Sequence, residues 1–171
     1  MASQEVLLFK KLSPYARAPQ KGSEGSVGFD LFSSEALTLA PMANCSVKTD
    51  VSFQIPIGTY GRITGRSGMT LRGLICPGGV IDNDFTGNVR SVCYKGAIFF
   101  FIQNHTEFFI QSKSCYRVII YNFTESPYDI QIGDRIAQIL FEKISTVELK
   151  QTEKIASNST RGDKGFGSTG V

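Results

Sequence analysis

Strict two-residue alternation of apolar and polar side chains is the feature that most restricts what this chain can become. In SVKTDVSFQIP, Val47, Val51, Phe53 and Ile55 take the odd positions, and Lys48, Asp50, Ser52 and Gln54 take the even ones. Successive side chains on a strand point to opposite faces, so the pattern predicts one buried face and one wet face. YDIQI repeats it with Tyr128, Ile130 and Ile132. Phe9, Val27, Leu37, Leu39, Ile63, Val80, Ile119, Ile139 and Phe141 are expected to supply further strand cores. The 17 glycines and 6 prolines break these runs at short intervals, as a sandwich or barrel of short strands requires. A helical stripe is nowhere sustained, and one or two turns near Met69 to Leu74 are the best helical candidate. The expected class is all-β.

A length of 171 residues fits one domain with a real core. Lys and Arg number 18 against 15 Asp and Glu, an excess too small to argue for nucleic acid without a clustered basic face. The cysteines, Cys45, Cys76, Cys93 and Cys115, form no CxxC pair and no zinc-finger spacing, so they read as buried or free thiols. MASQEVLLFKKL lacks the apolar run of a signal peptide. The longest apolar stretch, Gly96 to Ile102, is too short to span a bilayer. Sequons at Asn44, Asn104, Asn122 and Asn158 are therefore incidental, and a soluble intracellular protein is expected, cytoplasmic or nuclear. Residues 1–149 read as the β domain and 150–171 as a polar, mobile arm.

Five segments could carry chemistry. RGDKGFGSTGV holds Gly165, Gly167 and Gly170 in dinucleotide-fingerprint spacing, but that spacing has meaning only between a strand and a helix, and no helix is expected here. Glycines interleaved with Ser168 and Thr169 can still offer backbone N–H groups to phosphate. Arg161 and Lys164 add charge, and Phe166 suits a flat base. A plain Gly/Ser tail explains the same residues. GRSGM presents a guanidinium, a hydroxyl and a backbone amide from Arg66, Ser67 and Gly68, which suits phosphate but also describes an ordinary turn. In GGVIDNDFTGNV, Val80 and Ile81 run straight into Asp82 and Asp84. That is either a hairpin turn or a general base on a rigid strand end. In VGFDLFSS, Asp30 sits among apolar neighbours and must be paired or near a metal. In GDRIAQILF, Arg135 is a candidate partner for that acid and Gln138 a candidate ligand contact.

Taken in order, VGFDLFSS, GRSGM, GGVIDNDFTGNV, GDRIAQ and RGDKGFGSTG resemble the five motifs of the trimeric all-β deoxyuridine triphosphatases, over Val6 to Gly170. The resemblance implies a distorted β jelly roll, a homotrimer with three active sites shared between subunits, and hydrolysis of dUTP to dUMP and pyrophosphate with Mg²⁺. Such a reaction supplies dUMP for thymidylate and keeps uracil out of DNA. It implies that Asp82 is the base for a water attacking the α-phosphorus and that Arg66, Ser67, Gly68 and Gln138 face the triphosphate. Asp30 would approach Mg²⁺ through its waters. The backbone of Gly79, Val80, Ile81 and Asp82 would pair with uracil, and Phe85 would pack under the sugar. Phe166 would cover uracil, while Arg161, Gly167, Ser168 and Thr169 would clasp the β- and γ-phosphates. A backbone hairpin of this kind admits uracil and leaves donors facing donors with cytosine. Neither stable nucleic-acid binding nor a membrane is expected.

Three features depart from the family pattern. Phe85 stands where Tyr is usual, and Lys164 where glycine is common. Ser91 to Arg117 form a 27-residue excess between NVR and VIIYNF, with Arg90 and Arg117 ending the two arms of the join. This segment is rich in phenylalanine (Phe99, Phe100, Phe101, Phe108, Phe109) and contains the lone histidine, His105. It reads as an in-frame insertion, such as a retained intron or alternative exon, or as an adaptive loop. Two rival readings stand beside the enzyme: a dCTP deaminase-like activity, and a catalytically impaired binding module.

Overall fold

The computed structural model describes residues 6–85 and 117–153. Twelve strands and one helical turn follow one another along these residues. They are β1 (Leu8–Lys11), β2 (Gln20–Lys21), β3 (Phe29–Phe32), β4 (Leu37–Leu39), β5 (Asn44–Lys48) and β6 (Val51–Gln54). Then come β7 (Thr59–Thr64), α1 (Ser67–Thr70), β8 (Leu74–Ile75), β9 (Gly79–Ile81), β10 (Arg117–Asn122), β11 (Tyr128–Ile130) and β12 (Arg135–Lys143). The all-β expectation holds. The helical turn starts two residues earlier than Met69, inside the GRSG segment, with Met69 as its buried anchor.

Pairing is antiparallel throughout. The largest sheet runs β2-β3-β12-β7-β9, and β5-β10-β8, β1-β6 and β11-β4 complete the framework. Alternation decides the buried faces. Val47, Val51, Phe53 and Ile55 are all buried, as the sequence pattern requires. Asp50 sits between β5 and β6 at φ 49, a left-handed position that Asp tolerates better than most residues. Leu31, Leu39, Leu74, Ile81, Val118, Ile120, Ile130, Ile136 and Ile139 fill the centre. Burying each such side chain contributes about 1.5–3 kcal/mol before chain entropy is counted.

Five core expectations fail. Ile119 is half-buried and outside the core, because its neighbours Val118 and Ile120 take the buried face. Val27 and Ile132 lie in turns, and both are exposed. Val80 is on a strand but 65% exposed, and Phe9 is exposed on β1, whose four residues all face water in a single chain. Asn122 is buried, and its amide donates to the carbonyls of Leu39, Ala40 and Ser126. Its role is to tie loops together, which leaves its sequon without meaning. Cys45 and Cys76 are half-buried, and burial pushes the Cys76 thiol up. Cys93, Cys115 and nearly all of the insertion lie outside the described residues. Strand β10 starts at Arg117, and its ladder to β5 runs unbroken from Arg117 opposite Lys48 to Tyr121 opposite Asn44. Among the described residues no helix is long and apolar enough to cross a membrane.

Candidate active site

Strand β12 lies between β3 and β7 and holds the centre of the site. Arg135 and Gln138 are three positions apart, so regular alternation would send them to opposite faces. A bulge prevents this: Arg135 pairs with Phe32, Ala137 with Leu31 and Gln138 with Asp30. Ile136 is the extra residue, and it is buried together with Ala137. Cross-strand partners share a face, so Arg135 and Gln138 both emerge beside Asp30.

Asp30 is 9% exposed and lies between two guanidinium groups. Arg66 Nε donates to its Oδ1 at 2.8 Å, and Arg135 Nε stands 3.6 Å from Oδ2. The sequence expectation of a paired buried acid is met, with Arg135 as one partner and Arg66 as the closer one. Two cations against one anion leave a positive surplus at this face. Arg66 keeps 28% of its side chain exposed and Arg135 55%, so Asp30 orients both guanidinium groups while they stay open to solvent.

The turn carrying Arg66, Ser67 and Gly68 follows from local bonding. Arg66 is extended, and its carbonyl accepts from the amides of Met69 and Thr70. Ser67 and Gly68 head the turn, where backbone N–H groups have no acceptor within the helix. Gln138 Nε2 donates to the Gly65 carbonyl at 3.0 Å, joining this turn to β12. Gly28 matters here too, because a Cβ on it would come within 2.6 Å of Gln138 Oε1. A cavity of about 440 Å³ opens at this place, lined by Gly28, Asp30, Arg66, Ser67, Gly68, Arg135 and Gln138 among others. Three of the five sequence segments therefore meet in one space with exposed donors and surplus positive charge, which suits a phosphate chain.

The third segment lies elsewhere. Strand β9 is the last strand of the large sheet, with β7 between it and β12. Gly78 has φ 98, and a Cβ there would lie 2.8 Å from the Ile63 carbonyl oxygen, so only glycine lets the chain approach β7 so closely. Ile81 is buried and pins the strand, while Gly79, Val80 and Asp82 face water. The Phe85 amide donates to the Asp82 carbonyl at 3.2 Å, and the Phe85 ring packs against the core. Asp82 is thus a carboxylate on a rigid support, but it does not line the cavity that holds Arg66 and Gln138. Arg161, Phe166, Gly167, Ser168 and Thr169 lie outside the described residues.

Among the described residues no group of three or more His, Cys, Asp or Glu side chains could hold a metal ion. Asp30 beside the cavity is a single carboxylate. That donor set fits Mg²⁺, which keeps several waters and is usually bound through one or two carboxylates plus substrate phosphates.

Sequence reasoning missed a polar cluster on the same outer face. Glu142 accepts from Arg62 Nη2 at 2.6 Å and from the Tyr60 hydroxyl at 2.5 Å. Hydrogen bonds from Arg62 first, then Tyr60, pull the Glu142 carboxyl down to about 2, and the bond to Glu142 pushes the Tyr60 hydroxyl up. The signal was present: Tyr60, Arg62 and Glu142 occupy alternate, non-core positions of β7 and β12.

Comparison with known proteins adds to this geometry. The dUTPase family model matches residues 14–115 and 112–170, in two pieces. The chain is 36% identical over 165 residues to the deoxyuridine 5'-triphosphate nucleotidohydrolase of Mus musculus, covering 96% of this chain and 85% of the relative. It is also 36% identical to the enzyme of the same name from Paramecium bursaria Chlorella virus 1, covering 96% of this chain and 98% of the relative. Among solved structures, the Staphylococcus bacteriophage 80alpha dUTPase with dUPNHPP superposes with TM-score 0.79 at 30% identity, covering 98% of this chain and all of that one. A mutant dUTPase from S. aureus phage phi11, solved with a structural Mg(II) ion, gives TM-score 0.68 at 25% identity, covering 88% and 98%.

Proposed function

The chain belongs to the dUTPase family and is a dUTP diphosphatase with an all-β jelly-roll fold, and on that premise we propose how its residues divide the work. Arg66, Ser67, Gly68 and Gln138 grip the triphosphate in the cavity beside Asp30. The backbone of Gly79 to Asp82 meets uracil, and Phe85 lies under the sugar. Asp82 takes the proton of a water that attacks the α-phosphorus, the bond to the β-phosphate's bridging oxygen breaks, and dUMP and pyrophosphate separate. Phosphoryl transfer of this kind depends on positioning and charge neutralisation more than on covalent help. Mg²⁺ would neutralise the triphosphate, and Asp30 is the residue that would hold it. The arm from residue 150 brings Arg161, Phe166, Gly167, Ser168 and Thr169 over base and phosphates.

One observation supports a site shared between subunits of a homotrimer. The phosphate-binding residues converge in one cavity, while Asp82 and the uracil-facing strand sit at the sheet edge outside it. Exposed apolar residues on β1 and after β12, including Leu8, Phe9, Ile144, Val147 and Leu149, offer surface that neighbouring subunits would cover. The family match comes in two pieces that overlap at residues 112–115, inside the 91–117 segment. We read that segment as inserted into the family domain on its phenylalanine-rich composition.

The experiment is pyrophosphate release from dUTP, dCTP, dTTP and UTP by the full chain and by Asp82→Asn. Turnover of dUTP alone is expected, with the variant slower by ~10²–10⁴ and nucleotide affinity nearly kept. A variant keeping more than half the activity overturns the role given to Asp82.

A further inference from the structure

We propose that a second cavity, sharing Arg66, Gly68 and Arg135 with the substrate cavity, binds a compact phosphate-type oxyanion, and that the best-fitting one is the pyrophosphate released by the reaction. The cavity measures about 360 Å³, within the range of small-ligand sites. Its wall runs from α1 and the turn after it to β11 and the start of β12, and it presents Arg66, Arg72 and Arg135 together with Tyr128 and Asp134.

The charge account favours an anion. Arg66 and Arg135 share the single carboxylate of Asp30. Arg72 donates to the neutral Tyr128 hydroxyl at 3.2 Å, and it forms no ion pair among the described residues. Asp134 turns back on its own loop, its Oδ2 accepting the Gln131 amide at 2.8 Å. A fourth guanidinium, Arg17, lies against Gly133 at the rim, donates to its carbonyl and sits over the Phe32 ring. Four cations therefore face two carboxylates. The floor is apolar, with Met69, Ile130 and Ile136 all buried, and guanidinium charge is felt more strongly beside such a wall than in water.

Position favours the product. Because Arg66 and Arg135 border both cavities, an anion leaving the substrate cavity can pass along the same two side chains. Pyrophosphate is small and highly charged and carries no base that needs a slot. Its presence would draw on the guanidinium groups that hold substrate phosphates, so it would slow turnover without competing for the whole dUTP site. Assigning the product as ligand rests on the family activity; the cavity's affinity for an oxyanion does not.

The test is calorimetric titration of the full chain with pyrophosphate, with the non-hydrolysable imido analogue of dUTP saturating the substrate site. Binding is expected to persist with the analogue present. Arg72→Glu is expected to weaken it about tenfold or more, as the loss of a charge-assisted contact implies. Arg72→Lys should keep most of it, and Tyr128→Phe, which only frees Arg72, should keep all of it. Turnover of Arg72→Glu without added pyrophosphate should match the parent, while its inhibition by pyrophosphate weakens in step with the binding. Melting temperatures of all three variants identify any that fail to fold. Loss of all binding when the analogue is present, or unchanged binding in folded Arg72→Glu, overturns the proposal. Orthophosphate forms a separate arm, and tighter binding of orthophosphate than pyrophosphate overturns the assignment to the product.

Discussion

Two inactive chains, mixed, should recover activity that neither has alone. Asp82→Asn lacks the proposed base but keeps the phosphate cavity. Gln138→Ala keeps Asp82 but loses an amide that lies in the cavity and bonds the Gly65 carbonyl. Removing one such donor typically costs about 10²–10³ in rate, so each homotrimer should run at about 1% of the parent or below. Suppose each site takes its cavity from one subunit and its Asp82 from the next. In an equal random mixture the cavity is intact with probability one half, and so is the neighbouring Asp82. A cyclic trimer then has about one quarter of its sites fully restored. Co-refolding the two variants and measuring pyrophosphate release from dUTP should give about 25% of parental activity, more than twentyfold above either variant alone. If one chain supplies both residues to its own site, mixing restores nothing. An activity equal to the average of the two parents, with mixed trimers demonstrated by mass, would refute the shared-site reasoning.

Three further outcomes are expected. Removing Arg161 to Val171 should abolish most turnover and leave the melting temperature nearly unchanged, because the segment is polar and glycine-rich; a large melting shift with normal turnover would make the tail structural. Deleting Ser91 to Arg117 should yield a more soluble, more stable and more active trimer, with Arg90 taking the place of Arg117 at the head of β10; an insoluble or slower product would mark the segment as an evolved part of the protein. The Glu142 carboxyl titrates at about 2 in the folded chain, below its ordinary 4.5, so its contribution to stability is full above pH 4.5 and is lost as pH falls towards 2. Urea midpoints of parent and Glu142→Gln should therefore keep a constant gap from pH 7 to 5 and converge between 4.5 and 2, whereas a constant gap through that window would deny the Glu142–Arg62–Tyr60 cluster its role.

Legibility varied with the kind of physics involved. Alternation in residues 47–55 was readable because one face is wet and one is dry, and burial follows that rule. Asp30 was readable because a carboxylate among apolar neighbours needs a partner, and Arg135 stood near enough in the pattern to be named. Arg66 as the closer partner was not readable, since no local rule brings a turn at residue 66 to a strand at residue 30. Val27 and Ile132 misled because alternation ignores where a strand stops, and both lie just beyond strand ends in turns. Gly28 gave no warning of its contact with Gln138, because a close approach between distant residues leaves no trace in a single sequence. The separation of Asp82 from the cavity was equally silent: the motifs give order along the chain, not sheet position.

The extra residue at Ile136 has a consequence for how this gene can change. Strand β12 works like a reading frame, in which each position is assigned to inside or outside by counting from the bulge. Deleting Ile136 would close the ladder in regular register, with Arg135 and Gln138 two positions apart and still on one face. Deleting a residue from the regular stretch after it would instead exchange faces on one side of the deletion. Without Ile139, for example, either Arg135 and Gln138 would turn away from Asp30, or Leu140 and Glu142 would face the core while Phe141 met water. Substitutions here would be graded in effect, but a one-codon deletion would act as a frameshift of the surface. Between Phe85 and Val118 the proposed 27-residue insertion lies beside an unbroken ladder of β10 with β5. Length variation is thus expected to accumulate between strands in this lineage and to be absent within the regular ladder of residues 138–143, whatever the side chains there become.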